Sequence, residues 1–393
     1  MTILTPPAPL PARDGLVIAD VEVLILDGGI EYGEPTPGGE LSGPRHLCVV
    51  KVTSEEGLVG WADVDSHPWI VKAIVDAHPH IPNFCSGLRD AIVGLSAWDR
   101  HTAWERMYEA SWYHGRRGPA LHAISGIDVA LWDLAGRAAG QPVHVLLGGA
   151  RRMSLRAYAS TLFRETPEAM REATRAYLDR GFRAIKFGWG PFGRDPRRDY
   201  ALLAAAREEA GPDVKLMVDG HIAGDFAAAR AHVRALEELE PFWLEEPRPA
   251  DRPDELARLG RATRLRVASG EQLGGISEYE ELLREEGVSV VQPDLGRCGG
   301  FTALQRIVEL AQRRGVLVVP HAWTTHLLTA ATLNAAAWLP DEPFVEVNAS
   351  TAPLVQQLAT LDLDLVDGRV RVPTGPGLGV EVDPAVVDRH RVA

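Results

Sequence analysis

The N-terminal part of the chain first alternates apolar and polar residues and then changes to helical spacing. Between Val17 and Leu26, the apolar residues Val21, Val23 and Ile25 occupy every second position, which is typical of a half-buried strand. The same criteria, with turn residues and helix stops, predict further strands at 46–53 and 58–62 and helices at 98–110 and 120–139. Residues 1–150 are therefore expected to form an α+β unit.

From about residue 153 the pattern becomes a regular alternation of short apolar runs and helical segments. The apolar runs predict strands at 155–159, 184–187, 215–218, 242–244, 265–268, 288–291, 316–319 and 343–347. Helical spacing predicts intervening helices at 167–180, 198–210, 225–238, 277–284 and 301–314. Eight strands separated by helices predict a (β/α)8 barrel over residues 151–365. The alternative, a doubly wound open sheet, requires a glycine-rich phosphate turn after its first strand, which this sequence lacks. Residues 366–393, rich in Gly and Pro, are expected to return to the N-terminal unit.

The composition narrows the class of protein. The 393 residues carry 41 basic and 54 acidic side chains, a net charge of −13. Nucleic acids and anionic membranes require a basic face, so neither partner is expected. Three scattered cysteines do not form a disulfide framework or a cysteine zinc site. The N-terminus lacks signal-peptide features, and the uncharged segment 320–340 is too polar to span a membrane, so we expect a cytoplasmic protein.

Ionisable residues stand at the ends of the predicted barrel strands, about one β/α unit apart. These residues are Lys186, Asp219, Glu245, Glu271, Asp294, His321 and Glu346. Barrel active sites lie at the carboxyl ends of the strands, so these groups are expected to surround one mouth. Burying so many charges requires mutual pairing or a metal ion.

Asp219, Glu245 and Glu271 follow three consecutive strands and predict a metal site. Three carboxylates repel one another, and oxygen ligands suit Mg²⁺, with Mn²⁺ possible. Each of them taken singly could instead cap the next helix. Asp294 and His321, one unit apart, predict a general base whose imidazole is oriented by a carboxylate. A structural hydrogen bond is the alternative role for His321.

Several short motifs are distributed along most of the chain. They are Glu56-Gly57-Leu58-Val59-Gly60-Trp61, Ala123-Ile124-Ser125-Gly126-Ile127-Asp128-Val129-Ala130-Leu131-Trp132-Asp133, Gln141-Pro142-Val143, Leu146-Leu147-Gly148-Gly149, Trp243-Leu244-Glu245-Glu246-Pro247, Ser269-Gly270-Glu271 and Gln292-Pro293-Asp294. Together with the site residues above, these motifs resemble the enolase superfamily, within the mandelate racemase/muconate lactonizing enzyme family, and among its members the acid-sugar dehydratases.

The resemblance implies a TIM-like barrel under an N-terminal capping domain, and a role for each site residue. Asp219, Glu245 and Glu271 would bind the metal, and His321 with Asp294 would form the base. Removal of the proton α to a carboxylate would give a metal-stabilised enediolate. Lys186 and a protonated Glu346 would assist at the substrate carboxylate, and protonation of Glu346 is expected from its acidic surroundings.

The sequence departs from the family's racemases at Gly188, where they carry a second catalytic lysine. Two-base racemisation by this chain is therefore doubtful. His221, two residues after Asp219, is the candidate replacement, because some acid-sugar dehydratases use a histidine there. His221 could equally bind a substrate hydroxyl or stabilise the metal-binding side chains. A loop over the site is expected at Trp189, Phe192 and Arg194, and Arg194 could contact a second substrate carboxylate.

The leading functional hypothesis is a hydro-lyase that dehydrates a sugar acid, aldonate or aldarate, to a 2-keto-3-deoxy acid. The acid that helps the hydroxyl leave would be His321 itself or His221. The alternatives are an epimerase, racemase or cycloisomerase on a related carboxylate, and a catalytically silent ligand-binding barrel. Muconate-type cycloisomerases would place a lysine where Asp294 stands. Cap loops at 31–35 and 66–69 are expected to set specificity, and the family resemblance implies a homo-oligomer.

Overall fold

The N-terminal unit is built on a three-stranded antiparallel sheet. The computed structural model of the protein describes residues 15–34, 43–81 and 84–393. The strands, adjacent in chain order, are β1 (Ile18–Asp27), β2 (His46–Ser54) and β3 (Val59–Val64). Leu24 and Leu26 are buried together with the predicted alternating set, so β1 is covered on both faces. The helices of this unit are α1 (Pro68–Val75), α2 (Leu88–Ile92), α3 (Arg100–Ala110), α4 (Pro119–Ala139) and α5 (Val143–Leu146).

Eight parallel strands follow, each close to a predicted position. They are β4 (Ser154–Leu162), β5 (Ala184–Gly188), β6 (Lys215–Asp219), β7 (Trp243–Glu245), β8 (Arg266–Ser269), β9 (Val290–Val291), β10 (Leu317–Val318) and β11 (Phe344–Asn348). Their hydrogen-bonded order is β10-β9-β8-β7-β6-β5-β4-β11. The last strand therefore pairs in parallel with the first, as barrel closure requires.

The interior of this sheet is filled by one apolar residue from each strand or from the position directly after it. The eight residues are Tyr158, Ala184, Met217, Trp243, Ala268, Val290, Val319 and Phe344. Three large rings, those of Tyr158, Trp243 and Phe344, share the layer with five smaller side chains. The Tyr158 and Trp243 rings pack edge to face with centroids 5.6 Å apart. The layer closes the barrel below the candidate site.

Four of the barrel helices begin at a side-chain cap. The barrel helices are α6 (Pro167–Asp179), α7 (Pro196–Ala210), α8 (Phe226–Leu236), α9 (Pro253–Ala262), α10 (Ile276–Arg284), α11 (Gly300–Gln312) and α12 (His326–Trp338), followed by the short α13 (Pro353–Gln357). Thr166, Asp195, Asp225 and Thr325 each accept a backbone N–H at a helix start. Residues 237–239 form a 3₁₀ turn, so α8 ends two residues before the predicted position.

The C-terminal segment contacts both units. Strand β12 (Arg369–Arg371) pairs antiparallel with β4, so this part extends the barrel sheet instead of leaving it. The Leu378 N–H then donates to Asp133 of α4 at 2.7 Å, and the N–H of Val392 donates to the carbonyl of Ile25 at 2.8 Å. Helix α14 (Pro384–His390) precedes this last contact. The domain boundaries at 150 and 365 remain predictions.

The predicted fold class, a (β/α)8-type barrel with an N-terminal α+β domain, is confirmed. Among the residues that the structure describes, no helix has both the length and the apolar character needed to cross a membrane.

Candidate active site

The predicted ionisable residues converge on one cavity at the carboxyl ends of the strands. Its volume is about 210 Å³. Its walls include five of the predicted residues, namely Lys186, Asp219, Glu271, His321 and Glu346. Glu245 and Asp294 are buried directly behind them, where Glu245 contacts Lys186 and Asp294 contacts His321. The barrel register produces this arrangement, since each residue lies within three positions of the carboxyl end of its strand.

Asp219, Glu245 and Glu271 form a buried carboxylate cluster, which we call the triad. One oxygen of each carboxylate lies within 4.8 Å of the other two. Burial and mutual repulsion raise the pKa of all three groups, that of Glu245 to about 7. Asp219 Oδ1 is buried and has no hydrogen-bond partner among the described residues. An unpaired oxygen in an all-oxygen cluster fits a hard divalent cation. The triad could therefore hold a metal ion.

Lys186 pairs with the carboxylates around it. Its Nζ lies 2.6 Å from Glu245 Oε1, 2.9 Å from Glu346 Oε1 and 3.9 Å from Asp219 Oδ2. Burial alone would lower the pKa of this lysine, but the surrounding carboxylates raise it well above its usual value. Lys186 is thus a fixed positive charge at the base of the cavity.

His321 and Asp294 form the predicted dyad. Nδ1 of His321 lies 2.5 Å from Asp294 Oδ2, and Asp294 Oδ1 accepts the Gly296 N–H at 2.6 Å. Nε2 of the same imidazole lies 3.3 Å from Glu271 Oε2, so it faces the triad. Burial opposes protonation, but Glu271, Glu346 and Asp294 together raise the pKa of His321 to about 10. Positive charge placed at the triad lowers that pKa again.

Glu346 corrects one prediction from the sequence. A protonated carboxyl was expected, but the pKa of Glu346 is lowered to about 2. Burial favours the neutral acid, yet Lys186 at 2.9 Å and the nearby His321 outweigh it. The Ala322 N–H also donates to Glu346 Oε2 at 2.9 Å. In the unliganded protein Glu346 is therefore a carboxylate that accepts hydrogen bonds, and it has no proton to donate.

Among the residues predicted to take part in catalysis or metal binding, His221 is the one that the structure does not bring to the cavity. Its side chain is exposed and is absent from the cavity wall. Partial burial and the neighbouring Arg248 lower the pKa of His221. The spacing of two residues between Asp219 and His221 does not predict this exposure. The strand ends at Asp219 and the chain turns at Gly220, where φ is +144°. A catalytic role for His221 remains a prediction without support from this geometry.

The loop after β5 partly matches the expectation. Trp189 lines the cavity and has a positive φ of 53°, whereas Arg194 is exposed and lies away from the wall. Phe192 is buried and stacks on Phe163 with centroids 4.9 Å apart. At Gly188, a Cβ atom would lie 2.8 Å from Asp219 Oδ2. A side chain at position 188 would therefore press on the carboxylate of Asp219.

An ion pair that the sequence patterns do not predict joins the N-terminal unit to the barrel. Nη2 of Arg297 lies 2.7 Å from Asp65 Oδ2, and Nε donates to the Asp65 carbonyl at 2.7 Å. Nη1 donates to the Glu271 carbonyl at 3.1 Å. Both side chains line the cavity. The available clues were the position of Asp65 just after β3 and that of Arg297 three residues after Asp294.

The predicted cap loops contribute less to the cavity than expected. Tyr32 and Pro44 line the wall, while Pro35 lies outside the described residues. The predicted segment 66–69 does not line the wall, although Asp65 directly before it does.

Comparison with known proteins identifies the family. Residues 168–386 match the family described as Enolase C-terminal domain-like, and residues 42–148 match the Mandelate racemase / muconate lactonizing enzyme N-terminal domain. The chain belongs to the mandelate racemase/muconate lactonizing enzyme family of the enolase superfamily.

Three relatives place the chain within this family. A D-galactarolactone cycloisomerase from Agrobacterium fabrum is 33% identical over 88% of this chain and 92% of its own length. A D-galactonate dehydratase from Ralstonia pickettii is 31% identical over 89% of this chain and 92% of its own. The structure of a racemase from Streptomyces coelicolor with bound magnesium is 26% identical and has a TM-score of 0.81; the match covers 96% of this chain and all of that one.

Proposed function

We propose that the protein is a Mg²⁺-dependent dehydratase that removes water from a sugar acid and forms a 2-keto-3-deoxy acid. The observation that carries the proposal is the position of His321 Nε2, which faces the triad across 3.3 Å while Asp294 holds the other ring nitrogen. The related D-galactonate dehydratase supports the choice of dehydration.

Asp219, Glu245 and Glu271 would hold the metal ion, and bound Mg²⁺ would supply positive charge for the substrate carboxylate as its α-proton leaves. Neutral His321 would accept that proton on Nε2. Asp294 would stabilise the resulting imidazolium through the Nδ1–H hydrogen bond. Lys186 would add fixed positive charge beside the same carboxylate.

The electrons of the broken C2–H bond would form a C2–C3 double bond as the C3 hydroxyl departs. Imidazolium of His321 would return its proton to that hydroxyl, so one water leaves and the base is regenerated. We assign this second role to His321 because His221 lies outside the cavity wall. The enol product would then ketonise to the 2-keto-3-deoxy acid.

A screen of sugar acids with Mg²⁺, with detection of 2-keto-3-deoxy products, tests the proposal. We expect His321→Asn to lower turnover by at least about 10²-fold, because general base catalysis contributes that much. Full activity in this variant would refute the assignment of the base. Exchange of the α-proton in D₂O should accompany turnover, and its absence with every sugar acid would favour a ligand-binding barrel.

The metal assignment has a separate test that does not need turnover. We expect Mg²⁺ to raise the melting temperature, since a ligand at 100 times its Kd stabilises the folded state by about 2.7 kcal/mol. Asp219→Asn should abolish most of this rise, whereas the exposed Asp213→Asn should preserve it. An equal rise in both variants would mean that the ion binds elsewhere.

A cycloisomerase is the second candidate, because the Agrobacterium relative bears that name. This alternative predicts α-proton exchange with a sugar lactone as the substrate. The lactone oxygen would leave the β-carbon in place of hydroxide, so the ring opens, the product is an isomer of the substrate and no water is released. Two-base racemisation is disfavoured by Gly188, which provides no second base. The homo-oligomeric state and the cytoplasmic location remain predictions.

A further inference from the structure

We propose that the cavity selects sugar monocarboxylates, the aldonates, over the corresponding dicarboxylates, the aldarates. This inference rests on the proposed function and concerns whether the cavity can take a second substrate carboxylate. Its basis is the pairing of the cations in the cavity wall.

A second substrate carboxylate would need a cation that is not already neutralised. Among the described residues of the wall, the lysine and arginine side chains are Lys186 and Arg297. Lys186 is held by two carboxylates, those of Glu245 and Glu346. Arg297 is held by Asp65 and by two backbone carbonyls. Both cations are therefore engaged before the substrate arrives.

Arg45 of the cap, directly after the wall residue Pro44, is also paired. It contacts Asp27 at 3.0 Å and Glu31.

The rest of the wall suits a neutral polyol chain. Tyr32 and Ser160 present hydroxyl groups, and Trp189 and Trp323 present indole rings. Hydroxyls and indole N–H groups can hydrogen-bond sugar hydroxyls without requiring a charge on the ligand. An aldonate ends in such a hydroxyl.

Asp65 keeps Arg297 from binding an anion. Its carboxylate lines the cavity, is largely buried and lies 2.7 Å from Nη2 of Arg297, so the pair presents no net charge to a ligand. A second substrate carboxylate would have to displace Asp65 or remain unpaired beside it, and sites reject related ligands by such costs. Removing the charge of Asp65 would release Arg297 to bind an anion.

Binding to the His321→Asn variant tests this without turnover. D-Galactonate, D-gluconate and D-mannonate are each compared by calorimetry, in Mg²⁺, with the aldarate formed by oxidation of its C6. We expect the best-bound aldonate to bind at least about 10-fold more tightly than its aldarate. Adding Asp65→Asn should narrow this ratio, and adding the exposed Asp213→Asn should leave it unchanged.

The possible results distinguish the preference for aldonates from the dehydratase activity itself. An aldarate that binds as tightly as its aldonate would overturn the inference but not the dehydratase proposal. An unchanged ratio in the Asp65→Asn background would overturn the role of Asp65. Binding of no sugar acid at all would overturn the proposed function and this inference with it.

Discussion

Gly188 has no side chain, and the carboxylate of Asp219 occupies the space beside it. A Cβ atom at this position would lie 2.8 Å from Asp219 Oδ2 and 3.3 Å from its Cβ. We expect Gly188→Ala to displace the carboxylate and weaken Mg²⁺ binding by about 10–100-fold, as changes beside metal ligands typically do. Titration with Mg²⁺, followed by calorimetry, measures the effect.

Gly43→Ala is the matched control for this change. A Cβ atom there meets its nearest neighbours at 3.7 Å, which is an ordinary contact. Wild-type Mg²⁺ affinity in both variants would show that Gly188 is not needed for the arrangement of the triad.

Lys186 is expected to stabilise the metal-free protein more than the metal-bound protein. Replacing it with Met leaves the buried Glu245 and Glu346 without their cation, and breaking such a buried network costs about 3–5 kcal/mol. We expect Lys186→Met to lower the free energy of unfolding by this amount in EDTA and by less in Mg²⁺. Denaturant unfolding under both conditions measures the difference, and equal losses would contradict the expectation.

Strand spacing was enough to predict which residues meet at the cavity, but not their protonation. The regular intervals located Lys186, Asp219 and His321 because barrel geometry repeats. The ionised state of Glu346 depends on a 2.9 Å contact with Lys186, which no spacing reveals. The exposed position of His221 likewise depends on the backbone turn at Gly220.

The end of strand β3 holds the loop that follows His321. Asp63 Oδ2 accepts hydrogen bonds from the hydroxyls of Thr324 and Thr325, at 2.6 and 2.7 Å, and from the Thr325 N–H at 3.1 Å. Asp63 is buried, and burial raises its pKa to about 7 against the effect of these donors. This single side chain connects the sheet of the cap with the loop that carries the base.

The raised pKa of Asp63 predicts how stability depends on pH. An unfolded Asp loses its proton near pH 4, but folded Asp63 keeps it to about pH 7, so its contribution to stability falls as pH rises between these values. The stability advantage of wild type over Asp63→Asn should therefore be larger at pH 5 than at pH 8. Urea unfolding at both pH values measures this advantage, with exposed Asp213→Asn as control. A constant advantage would contradict the shifted pKa.

Element prediction failed where amphipathic spacing is absent. The barrel strands were found because each is a short apolar run between helices. Helix α12 is buried on nearly all sides, so its sequence shows no polar face and the amphipathic criterion does not detect it. Strand β12 was not expected on the barrel, because three residues between turns carry little periodic information.

The cap and the barrel share one hydrophobic core. A single cluster of buried residues includes Val21 and Ile124 of the cap together with Phe301, Leu304 and Leu327 of the barrel helices. Polar contacts reinforce this junction, since the hydroxyl and N–H of Thr302 donate to Asp128 at 2.6 and 3.0 Å. The two units are thus packed as continuously as one domain.

This shared core predicts that the two units unfold together. We expect hydrogen exchange near the denaturation midpoint to give the same opening free energy for β2 of the cap and β5 of the barrel. Loss of protection in the cap at a clearly lower denaturant concentration would show separate unfolding. Asp128→Asn, which weakens the junction, should lower both values together.

The ion pair of Asp65 with Arg297 crosses this junction and therefore constrains how the protein can diverge. A chimaera that combined this barrel with the cap of a relative would leave Arg297 unmatched unless the new cap also supplied an acid at that point. A change of specificity towards dicarboxylate substrates would then require two substitutions, one in the cap and one in the barrel, that are selected together. Libraries that mutate only the barrel loops would miss such combinations.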